Sequence, residues 1–280
     1  MTEILGVGEL LWDVADARTP GGAPYNFAFH CRQLGHPSAI VSRVGDDEPG
    51  RLLREHVRAG GVDDAFVQID ASHPTGEALV HGGGESYTIT PDVAWDFLRF
   101  DDGWDFSGVR AVCFGTLAQR HPVARQAIRR LLDALPPAAL VVCDLNIRRP
   151  LWSVSVVESS LHRAKWLKLS ESELGTLTRW FGLDADGLRS RFDLELVCVT
   201  RGPGGAIVRT AGESVEVPGI PPKTKGDTVG AGDAFTAALV CRSLEGANLA
   251  DAVKFANSYA SLVAGRIGGT PVIDRAEVIG

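Results

Sequence analysis

The chain has 280 residues, 45% of them hydrophobic and 22% charged, with a formal net charge of -7. This is the balance of a globular domain large enough to bury a sizeable core, and the negative sign argues against a nucleic-acid or acidic-membrane surface. No apolar run approaches the roughly 20 residues that span a bilayer, and Met1-Thr-Glu lacks the basic start of a signal peptide. The five cysteines (Cys31, Cys113, Cys143, Cys198 and Cys241) form no C-x-x-C pair, so buried reduced thiols in a cytoplasmic protein are expected.

In chain order, short apolar runs alternate with amphipathic helical stretches. Residues 4–7, 39–41, 111–114, 140–143, 166–169 and 196–199 read as strands buried on both faces, the pattern of an α/β fold with a mainly parallel sheet covered by helices. Residues 65–90 depart from the alternation. Phe66-Val-Gln-Ile69, Glu77-Ala-Leu-Val-His81 and Tyr87-Thr-Ile89 are strand-like without helices, and Gly82-Gly83-Gly84 reads as a hairpin turn. Polar groups follow the strands at their carboxyl ends: Gly115-Thr116, Asp144-Leu-Asn146, Ser170-Glu171 and Thr200-Arg-Gly202. In open α/β sheets ligands bind along that edge. With no internal repeat or linker, residues 1–280 read as one domain.

The last fifth of the chain holds Asp227-Thr-Val-Gly-Ala-Gly-Asp-Ala-Phe235. Phe235, Ala238, Leu239 and Arg242 follow at helical spacing, which places Asp233 in the first turn of a helix. The backbone N–H groups of Gly230, Ala231 and Gly232 then lack partners within the helix and lie at the positive end of its dipole, an arrangement suited to phosphate. A carboxylate beside a phosphate becomes useful if it takes a proton from the hydroxyl that attacks it. Spacing alone equally allows a Gly-rich turn followed by an ordinary first-turn Asp.

A second segment, Gly21-Gly22-Ala-Pro-Tyr-Asn26, stands in the first tenth of the chain, and three more lie between: Asp144-Leu-Asn146-Ile-Arg148-Arg-Pro-Leu-Trp152, Lys168-Leu-Ser170-Glu-Ser-Glu173 and Val199-Thr-Arg-Gly-Pro-Gly-Gly205. Together with the Asp227–Phe235 segment they resemble, in order and separation, the signatures of the PfkB (ribokinase-like) carbohydrate kinases, in particular the fructokinase-like branch. The third departs from the common pattern, with Ser170 where many relatives have Asn.

The resemblance implies a ribokinase-like three-layer sandwich and a kinase that uses ATP and Mg²⁺ to phosphorylate a hydroxymethyl group of a small sugar, with fructose the first choice. Sugar-acid kinases such as those for 2-keto-3-deoxygluconate carry similar sequences, nucleoside kinases come third, and a sugar-binding regulator without turnover is the alternative of another class. Asp233 would be the base, Gly230, Ala231 and Gly232 the phosphate cradle, and Arg148 a bidentate donor to phosphate, with Arg149 adjacent. Asp13, in Gly8-Glu-Leu-Leu-Trp-Asp13, would bind the sugar with Gly21, Gly22 and Asn26, although Asp13 and Asn26 also suit a turn and a helix cap. Asn146, Ser170, Thr200, Gly202 and Asn257 would serve the nucleotide. Glu173 would organise Mg²⁺ through water, with Glu171 competing for the role. Asp227 would help hold a monovalent cation, K⁺, with carbonyls from residues 266–269, where Arg266 brings a charge able to stand in for the ion.

Relatives cover the sugar with a β lid, here assigned to residues 13–21 and 65–90. Residues 14–20 are too few for two strands and a turn, so a reduced lid made of the Gly82-Gly83-Gly84 hairpin alone is expected. A small lid leaves either a monomer or a homodimer built on another surface.

Overall fold

A computed structural model describes residues 2–15, 17–81, 86–148, 151, 153–274 and 277–278. The chain runs β1 (Ile4–Val7), β2 (Leu11–Val14), β3 (Arg18–Gly21), α1 (Ala23–Gln33), β4 (Ser38–Gly45), α2 (Glu48–Ala59), β5 (Val67–Asp70), β6 (Gly76–His81), β7 (Ser86–Ile89), β8 (Ala111–Phe114), α3 (Pro122–Asp133) and β9 (Leu140–Asp144). It continues through α4 (Val154–Leu161), β10 (Trp166–Ser170), α5 (Glu171–Phe181), α6 (Ala185–Arg191), β11 (Leu196–Thr200), β12 (Ala206–Thr210), β13 (Ser214–Val217), α7 (Ala231–Leu244) and α8 (Leu249–Ala264).

Nine strands form one sheet in the order β13-β12-β11-β10-β9-β8-β1-β4-β5. Every pairing from β5 to β11 is parallel, and β12 and β13 close one edge as an antiparallel hairpin. All six expected strands lie in this sheet. Alternate residues of each strand feed opposite layers: Leu5 and Val7 pack with Val112, Phe114, Ile128, Leu161 and Leu188 on one face, while Ile4, Cys113 and Val142 pack with Phe27, Ala237 and Val240 on the other. Helices α1, α2, α7 and α8 cover the second face and α3 to α6 the first. The three-layer α/β sandwich with a mainly parallel sheet is the architecture that the strand pattern predicts. The five cysteines are buried and free.

The order of the strands reverses at β1, whose neighbours are β4 on one side and β8 on the other. The carboxyl ends of strands at such a reversal leave a crevice between diverging connections. The segments after β1, β8 and β9 therefore face one opening.

The lid corrects the sequence reading. It is a four-stranded sheet in the order β3-β2-β6-β7, and the expected reduction to a single hairpin does not hold. The first pair begins at Leu11, upstream of Asp13, so the Leu10-Leu11-Trp12 run supplies strand residues that a count from Val14 leaves out. Two four-residue strands then need only a three-residue turn. Residues 65–75 are not part of the lid: β5 joins the edge of the main sheet beside β4, and the second lid pair starts at Gly76. Gly82, Gly83 and Gly84, the expected turn, lie outside the described residues, as does the Tyr87 side chain.

Trp12 anchors this sheet to the body. Its ring is buried among Tyr25, Phe29, Leu53 and Val57, meets His56 edge-on at 5.4 Å, and its Nε1 donates to the Pro49 carbonyl at 3.0 Å. Trp95 is likewise packing, fully buried with the Arg120 guanidinium 4.1 Å above its ring. Trp12→Ala is expected to lower the unfolding free energy by about 3–5 kcal/mol, read from the denaturant midpoint at constant m value. A loss below about 1 kcal/mol would show that the ring does not anchor the lid.

Candidate active site

At the reversal of strand order a cavity is lined by Glu9, Leu11, Asp13, Gly22, Ala23, Asn26, Ala78, Ile89, Leu117, Asn146, Arg148, Val229, Gly230 and Asp233. Three parts of the fold converge there. The lid contributes Leu11, Asp13, Ala78 and Ile89; the start of α1 contributes Gly22, Ala23 and Asn26; the start of α7 contributes Gly230 and Asp233.

The entry to α7 is built for a tight approach. Gly230 caps the helix at φ 73°, a left-handed conformation that costs glycine little, and a Cβ there would meet the Gly269 backbone. Asp233 follows in the first turn, half-buried, and its Oδ2 accepts a 2.8 Å hydrogen bond from Asn26 Nδ2. Burial pushes its pKa up to about 7; nearby Asp144 adds to the rise, while Lys168, the Asn26 hydrogen bond and Arg148 oppose it. A carboxyl near 7 beside helix N–H groups can hold a proton or release it at neutral pH.

At α1, Gly22 is the cap, with φ 104°, and a Cβ would strike the Glu9 carbonyl. The helix start is thus pressed against the turn after β1. Gly21 lies directly against the Asp13 carboxylate. Asp13 itself is nearly buried, and desolvation raises its pKa to about 6, with Arg148 opposing and Asp227 adding to the rise. Asn26 is 4% exposed and its Oδ1 has no partner among the described residues, which leaves an acceptor for a ligand hydroxyl. Asn146 is in the left-handed region at φ 42°, which asparagine tolerates better than most residues, and it lines this same cavity with Arg148.

The remaining predicted residues lie elsewhere. Ser170 ends β10 and pairs in register with Thr200 at the end of β11. Ser170 also caps α5: Glu173 Oε2 accepts from Ser170 N at 2.7 Å and Oγ at 2.8 Å, while Glu173 Oε1 accepts from Ile147 N at 2.7 Å. The carboxylate therefore ties the loop after β9 to the start of α5. Gly202 takes φ 52° in a short 3₁₀ turn. Asn257 donates to the Pro218 carbonyl at 2.7 Å, fastening α8 to the chain after β13.

Asp227 accepts from Val229 N and Gly268 N, both at 3.0 Å, and joins the entry of α7 to residues 265–269. Arg266 does not fill the place beside it: its guanidinium pairs with Glu277 at 2.8 Å and donates to Thr224 Oγ1 at 3.3 Å. Among the described residues no group of three His, Cys, Asp or Glu side chains could hold a metal ion.

Sequence reasoning missed Lys168. Its ammonium is 3.1 Å from both Asp144 oxygens, Thr236 Oγ1 donates to Asp144 Oδ2 at 2.8 Å, and a Cβ on Gly232 would stand 2.9 Å from Nζ. A positive charge thus lies under the first turn of α7. The signal was a lysine inside an otherwise apolar strand, one strand away from Asp144. Like the Arg120–Asp96 pair, this one is almost wholly shielded from water. Lys168→Met leaves Asp144 buried without its partner and is expected to cost about 3–5 kcal/mol of stability. Adding Asp144→Leu should recover most of that loss in denaturant unfolding. Equal losses in the single and double variants would show that the cost does not come from the stranded charge.

Residues 14–275 match the model of the pfkB family carbohydrate kinases. An uncharacterized sugar kinase of Pyrococcus horikoshii is 31% identical over 92% of this chain and 89% of its own length, and its crystal structure superposes with a TM-score of 0.88. Fructokinase-1 of Oryza sativa subsp. japonica is 30% identical over 92% of this chain and 86% of its own. The structure of Vibrio cholerae O395 fructokinase, solved with fructose, ADP and calcium ion, is 28% identical, covers 100% of this chain and 98% of its own, and has a TM-score of 0.87. The chain belongs to the pfkB family of carbohydrate kinases. It has the ribokinase-like fold of that family.

Proposed function

We propose that the protein transfers the γ-phosphate of ATP to a hydroxymethyl group of a small neutral sugar, fructose being the first candidate. The observation that carries this reading is the Asn26–Asp233 hydrogen bond, which sets a carboxyl of pKa about 7 at the mouth of α7, inside a cavity of hydroxyl-binding groups. Fructokinases among the relatives, one solved with fructose and ADP, support the choice of sugar.

Asp13, Gly21, Gly22 and Asn26 bind the sugar and present its hydroxyl to Asp233, which takes the proton as the oxygen attacks phosphorus. The N–H groups of Gly230, Ala231 and Gly232 stabilise charge on the transferring phosphoryl oxygens. Arg148 binds phosphate from the loop after β9. Asn146, Ser170, Thr200, Gly202 and Asn257 serve the nucleotide along the rim from β9 to β13. Mg²⁺ would supply charge neutralisation at the phosphates, and Glu173 would act on it through water. K⁺ beside Asp227 would fix the α7 entry from below. Residues 1–280 act as one domain, in the cytoplasm, as a monomer or homodimer, with no nucleic-acid partner. No helix among the described residues is long and apolar enough to cross a membrane.

Coupled ADP release over a panel of sugars, sugar acids and nucleosides tests the reading. Fructose should give the highest kcat/KM, and a nucleoside or sugar acid in first place would overturn it. The same assay should run faster in potassium than in a bulky organic cation at matched ionic strength; equal rates would remove K⁺ from the scheme.

Asp233→Asn should fold, bind ATP and lose about 10²–10⁴-fold in kcat. The base must be ionised to act, and its pKa is raised to about 7. Wild-type kcat should therefore climb as pH rises through about 7, and the residual rate of the variant should lack that limb. A variant turning over at near the wild-type rate would exclude Asp233 as the base.

A further inference from the structure

Asn26, His30 and Gln33 lie along one face of α1, and the proposed chemistry uses only the first. His30 is fully buried, where an apolar side chain is the usual occupant. Both of its ring nitrogens are bonded: Nε2 lies 3.0 Å from the Gly269 carbonyl, and Nδ1 lies 3.0 Å from the Tyr259 hydroxyl on α8. A carbonyl only accepts, so Nε2 carries the proton and Nδ1 accepts from Tyr259. Gln33 Nε2 then donates to the Tyr259 hydroxyl at 2.6 Å, and Gln33 Oε1 accepts from Ile273 N at 2.8 Å. Each bond in this chain has one direction, and a buried network satisfied in this way is rigid.

Gly269 is the end of the network that meets the active site. A Cβ on Gly269 would stand 2.7 Å from Asn26 Nδ2, the nitrogen that donates to Asp233. A Cβ on Gly230, the cap of α7, would stand 2.5 Å from the Gly269 carbonyl oxygen. The Gly269 backbone is therefore pressed against the donor of the Asn26–Asp233 bond on one side and the start of α7 on the other.

We propose that His30 is a positioning residue for the Asn26–Asp233 pair: by donating to the Gly269 carbonyl it keeps that backbone wedged between Asn26 and Gly230. It thereby sets where Asp233 and the N–H groups of α7 stand relative to Asn26. Its effect on rate rests on the proposed role of Asp233 as base; its effect on the geometry of the pair does not.

Three variants test this. The amide nitrogen of a glutamine reaches about as far as Nε2, and that of an asparagine only as far as Nδ1. His30→Gln therefore keeps a donor to Gly269, and His30→Asn loses it. In His30→Asn kcat should fall about tenfold or more, with KM for ATP within about twofold of the wild type, and His30→Gln should recover most of the loss. Gly269→Ala leaves His30 intact and pushes on Asn26 directly, so it should lower kcat by a similar factor.

The second readout is the titration of the Asp233 carboxyl, followed by carbon NMR without substrates. The Asn26 bond lowers the pKa of Asp233, so loosening it should move the titration to higher pH in His30→Asn and Gly269→Ala but not in His30→Gln. The other charged groups that face Asp233 are Asp144 on β9, Lys168 on β10, Arg148 after β9 and Glu9 after β1, and all are kept. Burial lowers the pKa of His30 to about 4, so its ring stays neutral over this range.

An unmoved titration in either His30→Asn or Gly269→Ala overturns the proposal, whatever happens to kcat. So does an equal shift in His30→Asn and His30→Gln. A lower melting temperature without the shift marks His30 as a packing residue and overturns it too. Should His30→Asn fail to fold, Gly269→Ala decides. If another group proves to be the base, the Asp233 reading fails, and the titration still reports on His30 because it needs no turnover.

Discussion

The buried pair of Lys168 and Asp144 is the constraint on which the site depends. The two residues are register partners on adjacent parallel strands, so their side chains leave the sheet on the same face and meet at 3.1 Å. Neither charge could stay there alone, because burying an unpaired ion costs several kcal/mol. Thr236 completes the contact by donating to Asp144 from the second turn of α7. The pair thereby sets where α7 begins relative to the carboxyl ends of β9 and β10. A helix seated by apolar contacts alone could slide, and the N–H groups at its start would move with it.

The electrostatics of the cavity follow from the same arrangement. Asp144 raises the pKa of Asp233, Lys168 lowers it, and desolvation exceeds both. The outcome near 7 is a balance, which either partner of the pair would upset if altered by itself. Glu173 acts in a similar way on the other side of the rim. By accepting from Ile147 and Ser170 together, it joins the loop that bears Arg148 to the end of β10. The residues proposed to meet the ligand are therefore held by charged groups that belong to neighbouring strands and loops.

Much of this was legible in the chain. The doubly buried strands appeared as apolar runs, and the motif after each carboxyl end pointed to one rim. Asp233 was readable because Gly-x-Gly before an acidic residue at a helix start has a direct chemical use. The lid was misread because Asp13 looked like the end of a strand and loop, whereas Leu11 to Val14 pair on their own. Alternation over four residues is too short a pattern to register strongly. Lys168 escaped for a different reason. It is one polar residue in an otherwise apolar strand, and only its neighbour across space, Asp144, gives it meaning.

The hydrogen bond between Asn26 and Asp233 joins residues 207 positions apart. At about 5–20 residues per second, a ribosome needs on the order of 10–40 s to make the chain between them. Through that interval α1 has no α7 to pack against, and for the first part of it β1, interior to the finished sheet, waits for β8 as well. The nascent protein must keep Phe27 and Cys31 out of water without their final neighbours on α7, so early α1 is a natural client for a chaperone. A chain released even slightly short of α7 carries every strand of the sheet but lacks Asp233, the proposed base. If Asp233 is the base as proposed, enzymatic activity in this architecture therefore reports that synthesis has passed α7.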